Sequence, residues 1–181
     1  GGFLSSGLDS ASVAATARKI APGSFKTFNI GFKDASYDES ASAQKIASSL
    51  GIDLEVQVFE ELTRDKVSRL VWHFDQPFSD NSIYPTYQLN RLAGRFGKVM
   101  ISGDGADEMF AGYPTYRADQ FFSVYRRLPV SIQKALSSCA EKWVSPSYRK
   151  VSSDYKLRQF LGAAGLTRQQ AHYWWRAIFP E

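Results

Sequence analysis

Two short stretches of this chain hold residue types that could do chemistry together. The first is Leu4-Ser5-Ser6-Gly7-Leu8-Asp9-Ser10. Its small residues let a backbone approach a phosphate closely, and Ser5, Ser6 and Ser10 add hydroxyl donors. A helical pattern follows, so free N–H groups and a positive dipole end would face the same point. Asp9 would repel a bare polyphosphate, yet beside one it suits a divalent cation that the phosphates share. The second stretch is Ser102-Gly103-Asp104-Gly105-Ala106-Asp107-Glu108, where small residues again lead into carboxylates and a helix start. Asp9 and Asp107, together with phosphate oxygens, make a donor set for Mg²⁺. Neither stretch is a Walker A loop, because no Gly-Lys-Ser/Thr follows the turn. The chemistry expected is metal-assisted handling of a nucleotide polyphosphate.

Such loops must be held by alternating strands and helices. Gly2 to Leu4 reads as the end of a short strand and Leu8–Ile20 as an Ala-rich helix closed by Ala21-Pro22-Gly23. Phe25–Phe32 alternates as a strand, and Tyr37–Leu50 carries the stripe Ala43, Ile46, Ala47, Leu50 before a stop at Gly51. A strand over Leu54–Phe59 follows, then a helix face of Val67, Leu70, Val71 and Phe74. Tyr84–Phe96 reads as a helix and Lys98–Ser102 as a buried strand. This rhythm predicts an α/β fold, a mostly parallel sheet with helices on both faces and ligands at the carboxyl ends of the strands.

After Tyr113 the pattern is helical only. Phe121, Phe122 and Tyr125, then Ile132, Ala135 and Leu136, then Leu157, Phe160 and Leu161 recur at helical spacing, with a loop expected over Ser145–Ser153. The closing run Tyr173-Trp174-Trp175-Arg176-Ala177-Ile178-Phe179 reads as a core-docking helix or as a surface normally covered by a further part of the parent protein.

Composition narrows the classes. With 44% hydrophobic and 22% charged residues over 181 positions, the chain is a folded globule with a real core. A net charge of +4, with Lys and Arg scattered, points to a solvated surface and a mild preference for anionic substrates, not to nucleic acid. One cysteine, Cys139, excludes an intrachain disulfide and is expected to be packed within a helix. With only His73 and His172 and no CxxC, a zinc site is not expected. No apolar run is long enough for a membrane span, and a cytoplasmic location fits. The chain opens at Gly1-Gly2-Phe3-Leu4, inside a strand pattern and without Met, as expected of a piece of a longer polypeptide.

Four motifs carry a resemblance. Ser5-Ser6-Gly7-Leu8-Asp9-Ser10 resembles the SGGxDS pyrophosphate loop of the N-type ATP pyrophosphatases. Ser102 to Tyr113 resembles the SG(E/D)G(A/S/G)DE(L/M)F(G/A)GY segment of glutamine-dependent asparagine synthetases of the class B type. Phe28-Asn29-Ile30-Gly31-Phe32 is similar to that family's FSIGF strand, and Asp75-Gln76-Pro77-Phe78-Ser79-Asp80-Asn81-Ser82 to its DEPFADxS stretch. The resemblance implies an ATP-pyrophosphatase core over residues 1–113 with an adenine nucleotide alpha-hydrolase-like fold. Residues 114–181 would be a helical continuation of the same domain, with the amino-terminal glutaminase domain and the carboxyl-terminal remainder lying elsewhere.

By resemblance, ATP and aspartate would give β-aspartyl-AMP and pyrophosphate, and ammonia drawn from glutamine would displace AMP to give asparagine. Leu4, Ile30, Ser102 and Gly103 would surround ATP, the first two near adenine. Ser5, Ser6, Gly7, Asp9 and Ser10 would hold the pyrophosphate, Asp9 and Asp107 would bind Mg²⁺, and Asp104 would orient substrate or handle a proton from ammonia. Partners would be these small molecules, the parent's glutaminase domain and a second copy in a homo-oligomer, with no nucleic acid and no membrane.

Three departures stand against full activity. Ser6 replaces the first glycine of SGG, where a Cβ would crowd phosphates or a hydroxyl would donate to them. Gln76 stands where Glu is common, and no KxDR-like segment supplies the family's catalytic lysine, since Lys150 and Lys156 lie in another context. The chain alone is therefore expected to fall short of full turnover. A β-lactam-synthetase-like or other carboxylate-amidating ligase, and a non-catalytic nucleotide-binding module, remain the alternatives. Bland roles are assigned elsewhere: Glu108 as a first-turn acid, Asp80 and Ser82 as helix caps as much as substrate contacts, His73 on a helix surface, and Tyr113 and Tyr116 in packing.

Overall fold

The computed structural model describes residues 1–23, 25–76, 80, 82–143 and 153–176. They form an α/β structure, as the βαβα rhythm predicts. Contacts divide the chain into two compact units, Gly1–Gly105 and Ala106–Glu181.

The first unit is built on three parallel strands in the order β1 (Gly2–Phe3), β2 (Lys26–Gly31), β3 (Asp53–Val58). Phe3 pairs with Phe28, and Gly31 with Val58, so the strands share one carboxyl edge. Side chains alternate across the sheet, as period-two geometry requires. On one face Leu4 packs with Ala14 of α1 (Leu8–Ile20), with Ala43 and Ala47 of α2 (Ser40–Leu50), and with Ile52. On the other face Phe28 packs with Leu92 and Ala93 of α4 (Ile83–Ala93). Small alanines on α1 and α2 let those helices sit close to the sheet. Between β3 and α4 runs α3 (Arg64–Phe74).

Two expectations for this unit need correction. Lys98–Ser102 is not a buried strand: only Ile101 bridges Gly2, through Phe3 N–H to Ile101 O (2.9 Å) and Ile101 N–H to Gly1 O (3.0 Å). Among the described residues no strand lies on its far side, so Val99 and Ile101 face solvent. On α3 only Leu70 of the expected stripe is buried, because Val67 and Val71 turn outward.

The second unit is helical: α5 (Ala106–Phe110), α6 (Pro114–Tyr125), α7 (Val130–Trp143), α8 (Ser153–Gly162) and α9 (Arg168–Trp174). Its core centres on Phe122, Ala163 and Ala171, with Phe160, Trp174 and Trp175 packed around them. The core-docking reading of Trp174 and Trp175 fits this, whereas Tyr173 is exposed and 177–181 lie outside the described residues. On α7 the expected stripe of Ile132, Ala135 and Leu136 is exposed, and Gln133 and Ala140 are buried instead. The Gln133 amide explains the reversal. Its Nε2 donates to Leu128 O (2.7 Å) and its Oε1 accepts from Gly165 N–H (3.0 Å). Cys139 is exposed, not packed, since it lies on the outward side of the same helix. The loop expected over Ser145–Ser153 falls, but for Ser153, outside the described residues, as does Lys150. Among the described residues no helix is long and apolar enough to cross a membrane.

Candidate functional site

The opening loop leaves β1 at its carboxyl end. Leu4 is almost fully buried, and its N–H donates to Phe28 O (3.0 Å) while its carbonyl accepts from Asn29 Nδ2 (2.7 Å). Beyond it the chain is tied into a tight turn by its own hydroxyls. Ser5 N–H donates to Ser10 Oγ (3.1 Å), Gly7 N–H donates to Ser5 Oγ (3.1 Å), and the two hydroxyl oxygens are 2.9 Å apart. Ser10 Oγ also donates to Gly7 O (3.1 Å). Gly7 is the N-cap of α1 and supplies no side-chain cap, so Ser capping does not account for the serines. The leading N–H groups of α1 thus carry no N-cap side chain, an arrangement suited to an anion. Asp9 is half-buried on the first turn.

Ser6, the residue that departs from SGG, has a partner that sequence reasoning missed. Its hydroxyl donates to Glu39 Oε2 (2.8 Å) and its N–H reaches the same oxygen (3.3 Å). Glu39 precedes α2, where Asp38 accepts from Ser40 N–H and Oγ and from Phe32 N–H. These hydrogen bonds, that of the Ser40 hydroxyl foremost, hold the Asp38 carboxyl below its usual range. Thirty-three positions separate Ser6 from Glu39, and only the adjacency of β1 and β2 brings them together.

The second stretch reaches the same place. A Cβ built at Gly103 would lie 2.8 Å from Ser10 N and 3.1 Å from the Asp9 carbonyl carbon. Only glycine lets that backbone rest against the start of α1. Next to it, Ser102 Oγ donates to Asp104 Oδ2 (2.9 Å), and the Asp104 carboxylate stands exposed. Ile30 is buried beside the carboxyl end of β2. So Leu4, Ser5, Ser6, Gly7, Asp9, Ser10, Ile30, Ser102, Gly103 and Asp104 all belong to the first unit, on its strand ends and the loops leaving them.

In the second unit Asp107 begins α5, and its carboxylate fills the space where a Gly112 side chain would stand. Gly112 N–H donates to Asp107 O (3.0 Å), closing the turn. Glu108 is more than a first-turn acid: Tyr113 OH donates to its carboxylate and holds it below the usual range, and Arg176 lies over the Tyr113 ring (4.5 Å). Tyr116 stacks on His172, which pairs with Asp119 at 2.9 Å. His73 is on a helix surface, as expected, against Trp72 and Tyr87. Asp80 accepts from Ser82 N–H (2.8 Å), a turn before α4, while Pro77, Phe78, Ser79 and Asn81 lie outside the described residues.

The sequence model for asparagine synthase matches residues 1–177, nearly the whole chain. The chain belongs to the asparagine synthase family. It is 35% identical over 137 residues to asparagine synthetase [glutamine-hydrolyzing] 1 of Bacillus subtilis, a match covering 75% of this chain and 22% of that protein. It is 35% identical to a putative asparagine synthetase [glutamine-hydrolyzing] 2 of Methanocaldococcus jannaschii, covering 71% of the chain and 25% of the relative. A similar identity, 35%, links 65% of the chain to 20% of the amidase chyE of Penicillium rubens. The chain thus spans about a fifth to a quarter of the length of these relatives.

Among the described residues no three His, Cys, Asp or Glu side chains cluster as a ready metal cage. The Asp9 carboxylate, on the first turn of α1, is an oxygen donor of the kind Mg²⁺ takes alongside phosphate oxygens and water.

Proposed function

We propose that this chain is the nucleotide-binding, amide-forming part of a glutamine-hydrolysing asparagine synthetase. The observation that carries the reading is the seat of Gly103 against Asp9 and Ser10, which joins both family motifs at the carboxyl edge of a parallel sheet. Ligands of such sheets bind at that edge.

The reaction begins with a carboxylate, a poor acyl donor. An oxygen of the aspartate side chain attacks the α-phosphorus of ATP, and the bond to the β-phosphate oxygen breaks with release of pyrophosphate. Ammonia then attacks the acyl carbon, AMP leaves with the bonding pair, and the nitrogen sheds a proton. The hydroxyls of Ser5, Ser6 and Ser10, with the N–H groups opening α1, would hold the departing pyrophosphate. Leu4 and Ile30, both buried at the strand ends, would lie near adenine. Ser102 and Gly103 would border the nucleotide. The exposed Asp104 carboxylate would orient the amine or take its proton. Asp9 and Asp107 would hold Mg²⁺, which when bound offsets charge on the phosphates.

Two relatives named as amidases, chyE and chry2, support a second reading, in which the same adenylating loops serve another carboxylate. One experiment separates them. A polypeptide carrying this chain at the full length of its relatives is assayed for pyrophosphate release with ATP, ammonia and aspartate. Aspartate-dependent release is expected, and its absence at saturating substrates would refute the asparagine reading. On this chain, calorimetry should give Mg²⁺-dependent ATP binding that weakens in both Asp9→Asn and Asp107→Asn. Unchanged affinity in both would remove the metal assignment.

A further inference from the structure

Lys and Arg look scattered along the sequence, but the first unit gathers four of them around one cleft. Beside β3, α3 and α4 wall a cavity of about 220 Å³ lined by Lys66 and Arg69 from α3, Arg91 from α4, Arg95 just past its end, and the rings of Tyr84 and Tyr87. Lys66 and Arg69 stand one turn apart, as do Arg91 and Arg95, and like charges at that spacing repel. Among the described residues, Glu60 and Asp65 are the two carboxylates in the lining. Glu60 is already committed to Lys66 (3.0 Å), which holds its carboxyl below the usual range, with Arg91 and Arg95 adding to the effect. Among the described residues Arg69, Arg91 and Arg95 have neither an ion pair nor a side-chain hydrogen bond.

The walls are firm where the arginines are not. Gln88 is buried, and its amide bonds both the N–H (3.1 Å) and the carbonyl (2.8 Å) of Glu60, pinning the end of β3 to α4. Tyr84 OH donates to Glu61 O (3.3 Å). A fixed frame thus presents to a cavity of small-molecule size three guanidinium forks that make no ion pair or side-chain hydrogen bond among the described residues. The nucleotide loops use none of these residues.

We propose that this cleft is a second anion site, taking a small molecule that bears a phosphate or pyrophosphate group. Guanidinium forks match phosphate oxygens in pairs, and several of them favour a dianion over a single carboxylate. The size of the cavity and the two rim carboxylates disfavour a continuous polyanion.

The test is calorimetry on the full chain, without nucleotide, with inorganic phosphate, pyrophosphate and phenyl phosphate as probes. Saturable binding of at least one probe is expected beyond any that pyrophosphate shows at the opening loop, with perturbed Tyr84 and Tyr87 ring signals by NMR. Affinity should fall by about tenfold or more in Arg69→Gln and in the Arg91→Gln/Arg95→Gln double variant, and stay unchanged in Asp9→Asn. The arginines are exposed, so these variants keep the fold, which circular dichroism checks. Tighter binding of phenyl phosphate than of inorganic phosphate would assign an organic phosphate, and the reverse a free inorganic one. The proposal is overturned by no saturation up to about 10 mM of any probe. It is equally overturned by affinity unchanged in the arginine variants, by loss confined to Asp9→Asn, or by RNA binding that pyrophosphate does not displace.

Discussion

The two family loops leave neighbouring positions of one sheet, yet they are held in opposite ways. The opening loop is fixed by what its side chains add: Ser5 and Ser10 hydroxyls take up the main-chain groups of the turn. The second stretch is fixed by what its side chains omit, since Gly103 lies against Asp9 and Ser10 and Gly112 leaves room for the Asp107 carboxylate. A hydroxyl network can be loosened by degrees, because each hydrogen bond contributes about 1 kcal/mol net. A backbone seated against backbone tolerates no added atom without a shift.

That contrast ranks the expected effects. Gly103→Ala should do most damage, because its Cβ meets the backbone of α1, not a flexible side-chain tip. A loss of about 1–3 kcal/mol is expected in urea unfolding, with ATP affinity falling alongside. Wild-type stability would mean the seat is loose and the two loops independent.

Ser10→Ala should cost about 1–2 kcal/mol, since it strips the acceptor from Ser5 N–H and the donor to Gly7 O at a buried position. Urea unfolding measures this too, and a cost as large as that of Gly103→Ala would erase the distinction between the loops.

A smaller and opposite effect is expected at Ser6. Its N–H is held by Glu39, so a phosphate arriving there competes with a carboxylate. Glu39→Gln should tighten ATP binding by about two- to fivefold, the range of a weakened exposed contact, because it frees the Ser6 N–H and hydroxyl for the phosphate. Unchanged affinity would show that Glu39 does not compete at this position.

The smallest effect is expected of Asp38→Asn, behind Glu39. Hydrogen bonds lower the Asp38 pKa in the folded chain, so its contribution is present above the unfolded value and is lost as pH falls through the folded one. The variant should be slightly less stable at neutral pH and converge with wild type in acid, flattening the acid side of the stability profile below about pH 4. A profile with wild-type slope would remove Asp38 from the loop's support.

Much of the first unit was legible because its signals are local. Alternation along Phe25–Phe32 and the alanine stripe of Tyr37–Leu50 lead directly to β2 and α2. The residues of the opening loop were legible for the same reason. Glu39 was not, because the reason it matters lies in a strand pairing and not in its own neighbourhood. Nor was the Gly103 seat, which no spacing rule announces. Lys98–Ser102 misled because an apolar run reads as a buried strand whether or not a second neighbour pairs with it. In α7 hydropathy pointed the wrong way: Gln133 is inside because its amide finds Leu128 and Gly165, and Ile132 and Leu136 are outside as a result.

Gly103 and Ser10 stand near opposite ends of the first unit's sequence, and their meeting has a kinetic meaning. Contacts between distant segments form only after the loop between them has closed, and they slow folding. Closing this seat carries the loop-closure cost of the whole segment between them, which holds β2, α2, β3 and α4. Under the proposed function, a nucleotide bound at the seat would draw the folding equilibrium toward the closed form.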